Sequence, residues 1–154
     1  MNKFQRFRKL SGSQKNNLLW AMVLLPITSA ALRLLGFQRW KSMLAIAIPR
    51  EIPSTPVVPE ALQDARDAAK MVSAAAREGI FRAKCLEKST VLWFLLHRKR
   101  LPAELRIGVR QAAKGFEAHA WVEVQGTIVN DTEDARQGYV PFSGNIASLG
   151  AEER

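Results

Sequence analysis

Cys85-Leu86-Glu87-Lys88-Ser89-Thr90-Val91-Leu92-Trp93-Phe94-Leu95-Leu96-His97-Arg98 is the stretch on which the reading of this chain turns. Its spacing predicts a helix over 85–98, apolar on so much of its surface that it belongs in the middle of a core. Cys85 stands at the start of that helix and is the sole cysteine of the chain. A thiol at a helix N-terminus, with Lys84 and Lys88 beside it, is placed where unpaired N–H groups and cations favour the thiolate, the reactive form.

Downstream the pattern changes to alternation. Leu105 to Arg110 reads as a strand, Gln111 to Gly115 as a loop, Glu117 to Val124 as a second strand, and Thr127 to Asp131 as a third after a Gln125-Gly126 turn. His119 lies on the second strand in Ala118-His119-Ala120-Trp121-Val122-Glu123, and Asp131 ends the third in Val129-Asn130-Asp131. A thiol, an imidazole and a carboxylate in that order are the parts of a cysteine nucleophile system: attacker, proton carrier and orienting group. Each also has an ordinary reading, as a small buried hydrophobe, a hydrogen-bonded structural histidine and a turn former. Hairpin register discriminates. A three-residue Val124-Gln125-Gly126 loop with Gly126 left-handed sets His119 opposite Asp131 on one face, whereas a two-residue Gln125-Gly126 turn pairs Ala120 with Asp131. A Cys-His-Asp site therefore predicts the longer, bulged loop.

Working back from Cys85, Glu60 to Glu78 is an alanine-rich helical segment with Pro59 as its first residue and Gly79 as its stop. Pro49, Pro53, Pro56 and Pro59 mark an extended connector. Leu18 to Leu35 reads as helix, with Pro26 kinking or breaking it, Ser11-Gly12-Ser13-Gln14 as a capping box before it and Gly36 ending it. A further helix is expected over Gln38 to Ile48. His97, beside Arg98, Lys99 and Arg100 at a helix C-terminus, is explained by attraction to the helix dipole. Trp20, Trp40 and Trp93 read as core or interface anchors. Trp121, two residues from His119, either packs or contacts substrate.

The 154 residues suffice for one modest domain, and 47% are apolar. One cysteine excludes an internal disulfide, no zinc-type spacing is present, and neither metal nor cofactor is expected. A lone reactive thiol suits a reducing cytoplasm. The net charge of +9 is confined to residues 1–50, which hold nine Lys or Arg and no acid; the other 14 basic residues are matched by all 14 acidic ones. That excess fits an acidic partner or an anionic membrane surface. Nucleic acid is not expected, because basic and aromatic residues are not interleaved on a recognisable motif. Leu18–Leu32 is 15 residues long, short of the roughly 20 that cross a bilayer, so packing or interfacial contact is the expectation.

These segments resemble the leader peptidases of lasso-peptide biosynthesis. The likeness rests on Cys85-Leu86 with Ser89, the Leu101-Pro102-Ala103 turn, Ile107-Gly108-Val109, the His119 segment, Gly126 and Asn130-Asp131, with a looser likeness in Ala31-Leu32-Arg33-Leu34-Leu35-Gly36-Phe37. The resemblance implies an α+β fold: a transglutaminase-like (papain-like) core with a central helix against a small antiparallel sheet, preceded by N-terminal helices. It divides the chain into a basic helical extension (1–48), a connector (49–59), a core (60–145) and a loose tail (146–154). It implies a cysteine protease that removes the leader of a ribosomal precursor peptide, with Cys85 as nucleophile, His119 as base and acid, and Asp131 orienting His119. The implied partners are the precursor, a separate leader-recognition protein and a lasso cyclase. An amide transferase or deamidase on the same core, and a non-catalytic docking module, are the alternatives. Two positions depart from the family pattern: Glu87-Lys88 stands where a proline and a basic residue are frequent, and Arg100 where glycine precedes Leu101-Pro102.

Overall fold

The computed structural model describes residues 3–49, 51–52, 55–79, 83–113, 115–132 and 138–141. Five helices precede the sheet: α1 (Lys3–Lys9), α2 (Gly12–Leu34), α3 (Phe37–Ile46), α4 (Pro59–Glu78) and α5 (Cys85–Arg98). Four strands follow: β1 (Ala103–Ala112), β2 (Gly115–Val124), β3 (Thr127–Ile128) and β4 (Val140–Pro141). They form one antiparallel sheet in the order β3-β2-β1-β4. The arrangement is α+β, as expected.

Helix α5 is the axis of the core. Every residue from Ser89 to His97 is buried, because α5 is flanked by α2 and α4 and by strands β1 and β2. Helix α4 can lie close against it because its inward face is Ala65, Ala68, Ala69, Val72 and Ala75, all buried and mostly without bulk beyond Cβ. Complete burial of one large side chain such as Leu92, 1% exposed, is worth about 2 kcal/mol. Successive side chains of β2 point to opposite faces, and from Ala120 to Val124 both faces are covered. Val122 and Val124, with Ala103, pack on the helices, while Trp121 faces the other way and packs with Ile128 and Tyr139.

Helix α2 starts where the capping box places it: the Gln14 N–H donates to Ser11 Oγ and Gln14 Oε1 accepts the Ser11 N–H. It continues through Pro26 without dividing, because Ala21, Leu24 and Leu25 are held in the same core as α5. Residues 1–48, expected as an extension, thus place α2 against α4 and α5. Gly36, at φ 79°, separates α2 from α3. Trp40 and Trp93 are buried, and Trp20 lies 4.4 Å beneath the Arg98 guanidinium. The connector residue Pro53 and the tail 146–154 lie outside the described residues.

At its C-terminus α5 closes with two bonds, Arg100 N–H to His97 O at 2.9 Å and Leu101 N–H to Leu96 O at 3.0 Å. This is the Schellman pattern, and it requires a left-handed residue at position 100. Arg100 has φ 59°, which accounts for the glycine that the family resemblance implies there. Glu87 has its own local role: its carboxylate accepts the Lys84 N–H at 2.6 Å and so caps the first turn of α5.

The hairpin departs from the expected register. Val124 pairs with Thr127 and Glu123 with Ile128, so the loop is the two-residue Gln125-Gly126 turn, with both residues left-handed at φ 46° and 79°. That is the turn whose twist matches the strands. The third strand stops at Ile128 rather than running to Asp131. After Val129, whose N–H still donates to Val122 O, the chain bends away and the Asn130 side-chain oxygen takes the Val122 N–H at 2.8 Å. A side chain has replaced the next rung of the ladder, so register no longer decides where Asp131 points.

Candidate active site

Cys85 occupies the first position of α5, where the helix leaves N–H groups without intrahelical partners. His119 sits on β2 with its ring over Trp121 (centroids 6.1 Å, planes 25° apart) and 5.3 Å from the Tyr139 ring. Asp131 follows the bend after β3. Despite the two-residue turn, His119 Nε2 is hydrogen-bonded to Asp131 Oδ2. The other carboxylate oxygen accepts the Thr132 N–H at 2.8 Å. A carboxylate only accepts, so Nε2 is the nitrogen that carries the proton in this bond.

Cys85, His119 and Asp131 all line one cleft of about 320 Å³, open to solvent, between the start of α5, α4 and the end of the hairpin. Lys88 lines it too, whereas Lys84 is exposed. The three predicted residues therefore share one site. Trp121 does not: it is 2% exposed, with its indole N–H donated to Glu123 Oε1 at 2.9 Å. The substrate-contact expectation for Trp121 is corrected, since the ring is a floor under His119 and Tyr139 and presents no surface to a ligand. Gly108 shows how tight that floor is, because a Cβ there would come within 2.7 Å of Tyr139 Cβ and 3.0 Å of the Trp121 ring.

A polar brace joins the three elements that carry the site. Ser89, one turn after Cys85, donates to Ala120 O at 2.9 Å and accepts from Asn130 Nδ2 at 2.9 Å. Asn130 in turn accepts the Val122 N–H. Ala120 adjoins His119, and Asn130 adjoins Asp131. Ser89 and Asn130 therefore fix α5, β2 and the hairpin end relative to one another. Sequence reasoning missed this function. The available signal was a serine at the head of the run 89–97 that the helix buries, a buried hydroxyl needing partners.

His97 is the opposite case. Its Nε2 lies 2.8 Å from Ala103 O, its Nδ1 is buried without a partner, and its ring tilts against Trp93 at 4.7 Å. Burial holds its imidazole below the usual histidine titration range, and the Lys41 ammonium adds to this. The ring is neutral, so the dipole explanation for His97 is replaced by a structural one. Among the described residues, no group of three or more His, Cys, Asp or Glu is placed to hold a metal ion.

Comparison with known proteins agrees with this architecture. Over 57 residues the chain is 40% identical to the microcin J25-processing protein McjB of Escherichia coli, a match covering 37% of this chain and 26% of that protein. The chain therefore aligns with about a quarter of that relative's length. No solved structure matches. Residues 25–144, most of the chain and all of α4, α5 and β1–β4, match a family model, and on that match the chain belongs to the Transglutaminase-like superfamily.

Proposed function

We propose that this protein is a cysteine protease that removes the leader from a lasso-peptide precursor. The observation that carries the reading is the cleft lined together by Cys85, at the head of α5, and by a histidine bonded to Asp131. The relative named for processing microcin J25 supports the substrate class.

The steps follow from the site. His119 Nδ1 takes the Cys85 proton, and Asp131 holds the ring and offsets its positive charge. The thiolate adds to the scissile carbonyl, and the oxyanion is met by N–H groups at the α5 N-terminus. The C–N bond breaks as the imidazolium returns its proton to the leaving amine, leaving a thioester on Cys85. Water then adds, giving its proton to His119, and the C–S bond breaks to release the acid and restore the thiol. In this reading a separate leader-recognition protein presents the precursor and a cyclase receives the product. The setting is a reducing cytoplasm, where the thiol persists.

Mass spectrometry of a lasso precursor incubated with the protein and a cognate leader-binding partner tests this. One cut that releases the leader, absent with Cys85→Ala, is the expected result. A one-unit mass gain or an amine adduct would instead mean a deamidase or amide transferase, in which the same thioester meets a different fate. An intact precursor with either protein would contradict hydrolysis.

A docking role for the N-terminal third is compatible with catalysis, and one observation favours it. Helix α2 is long and apolar enough to cross a membrane by length and composition. Its inward residues pack on α4 and α5, yet Leu19, Met22, Val23 and Ile27 face outward in a segment whose charge is wholly positive. That pairing suits an anionic bilayer surface. Flotation with anionic vesicles, lost in Leu19→Asn/Val23→Asn, is the expected result; equal flotation with zwitterionic vesicles would contradict it.

A further inference from the structure

Beside the Cys85 cleft lies a larger groove of about 930 Å³. One wall is α4, which presents Arg66, Lys70, Ser73 and Arg77; the other is residues 128–131 at the end of the hairpin. The two spaces adjoin, since Ala69, Ser73, Asn130 and Asp131 line both. Steps of four, three and four residues put those α4 positions on one helical face, so the row of cations follows from the sequence once the opposite, alanine-rich face is buried.

Among the described residues, the charges lining this groove do not cancel. Lys70 pairs with Asp67 at 2.9 Å, but Arg66 and Arg77 make no ion pair with a described residue. Among the described residues, Asp131 is the one carboxylate lining the groove, and it is already bonded to His119 and to the Thr132 N–H. Residues 51–154 carry equal numbers of acidic and basic side chains, so a basic wall here is a local arrangement and not a reflection of composition. Its position beside the thiol's cleft puts it within reach of a peptide held at Cys85.

We propose that this groove binds the peptide segment flanking the scissile bond and selects for Asp or Glu in it through Arg66, Lys70 and Arg77. The proposal rests on the peptidase reading for its substrate, but its test does not need turnover. Because the side chains are at the surface, the selection is electrostatic and weakens as salt screens it.

The full chain carrying Cys85→Ala, titrated by fluorescence anisotropy, supplies the test. The probes are a lasso precursor and the same peptide with every Asp and Glu replaced by Asn and Gln. The carboxylate form is expected to bind about tenfold more tightly at low salt. The preference should vanish in Arg66→Ala/Lys70→Ala/Arg77→Ala and reverse in Arg66→Glu/Arg77→Glu, which a merely structural role would not produce. Equal affinity for the two probes, no binding of either, or a preference unchanged in the triple variant would overturn the proposal. The catalytically intact chain, with a cognate leader-binding partner present, separates the two claims. A carboxylate preference without cleavage would sink the protease reading and leave the groove; cleavage with equal kcat/KM on both probes would do the reverse.

Discussion

The protein has two histidines, at opposite ends of α5, and they show how environment divides roles. His97 faces a backbone carbonyl inside the core; His119 faces a carboxylate in an open cleft. Each has its proton on Nε2. At His97 the partner is neutral and the surroundings dry, so a positive ring would be stranded and the residue can only pack. At His119 the partner is a carboxylate and solvent is near, the setting that the proposed mechanism asks of a proton carrier. In the proposed function the same side chain is a structural plug in one place and a proton carrier in the other.

The strongest way to break this contrast is to delete each ring in turn. His119→Ala should lower kcat about a thousandfold or more, with stability changed by less than about 1 kcal/mol. His97→Ala should do the opposite, leaving the chemistry close to normal in the folded fraction while costing about 2–3 kcal/mol by chemical denaturation. Matching effects from both variants would contradict the division of roles.

The brace sharpens the comparison, since His97 has no counterpart to it. Asn130→Ala strips partners from Ser89 and from the Val122 N–H. It should cost about 1–3 kcal/mol and reduce kcat about ten- to a hundredfold with KM little moved. A change confined to stability would mean that the brace holds the fold but does not position the site.

Much of this was legible in the chain, and the failures are specific. The limits of α5 and the packing of α4 follow from periodicity, because one face or nearly all faces of those helices are apolar. Hairpin register was not legible. The Gln125-Gly126 pair signals a two-residue turn, but nothing local reveals that Asn130 will take over a ladder bond and free Asp131 to reach His119. Strand β4 and Tyr139 were also missed. A two-residue strand has no period, and Tyr139 gains its place only from long-range contact with Gly108 and Trp121.

A smaller effect concerns pH. The titration of His97 is lowered by folding, so the unfolded chain takes up a proton that the native chain refuses. Stability is therefore complete above the unfolded value of 6.5 and falls as pH drops through it. His97→Gln keeps a donor for Ala103 O and cannot titrate. Its melting temperature should respond less to a shift from pH 7.5 to about 5.5 than that of the parent; identical slopes would show that His97 is not the source. The smallest expected change is Arg100→Gly, which relieves a left-handed arginine and should stabilise the fold by about 0.5–1 kcal/mol. A loss of stability would mean that the arginine side chain outweighs its backbone strain.

The most direct measurement is the rate of iodoacetamide alkylation at neutral pH, followed by intact mass. Cys85 is the only cysteine, so a single adduct reports the site alone. A thiol activated by His119 and held in place by Asp131 should react rapidly in the parent, more slowly in Asp131→Asn and slowest in His119→Ala. Equal rates in all three proteins, matching a free thiol, would show that the residues share a cleft without forming a catalytic system.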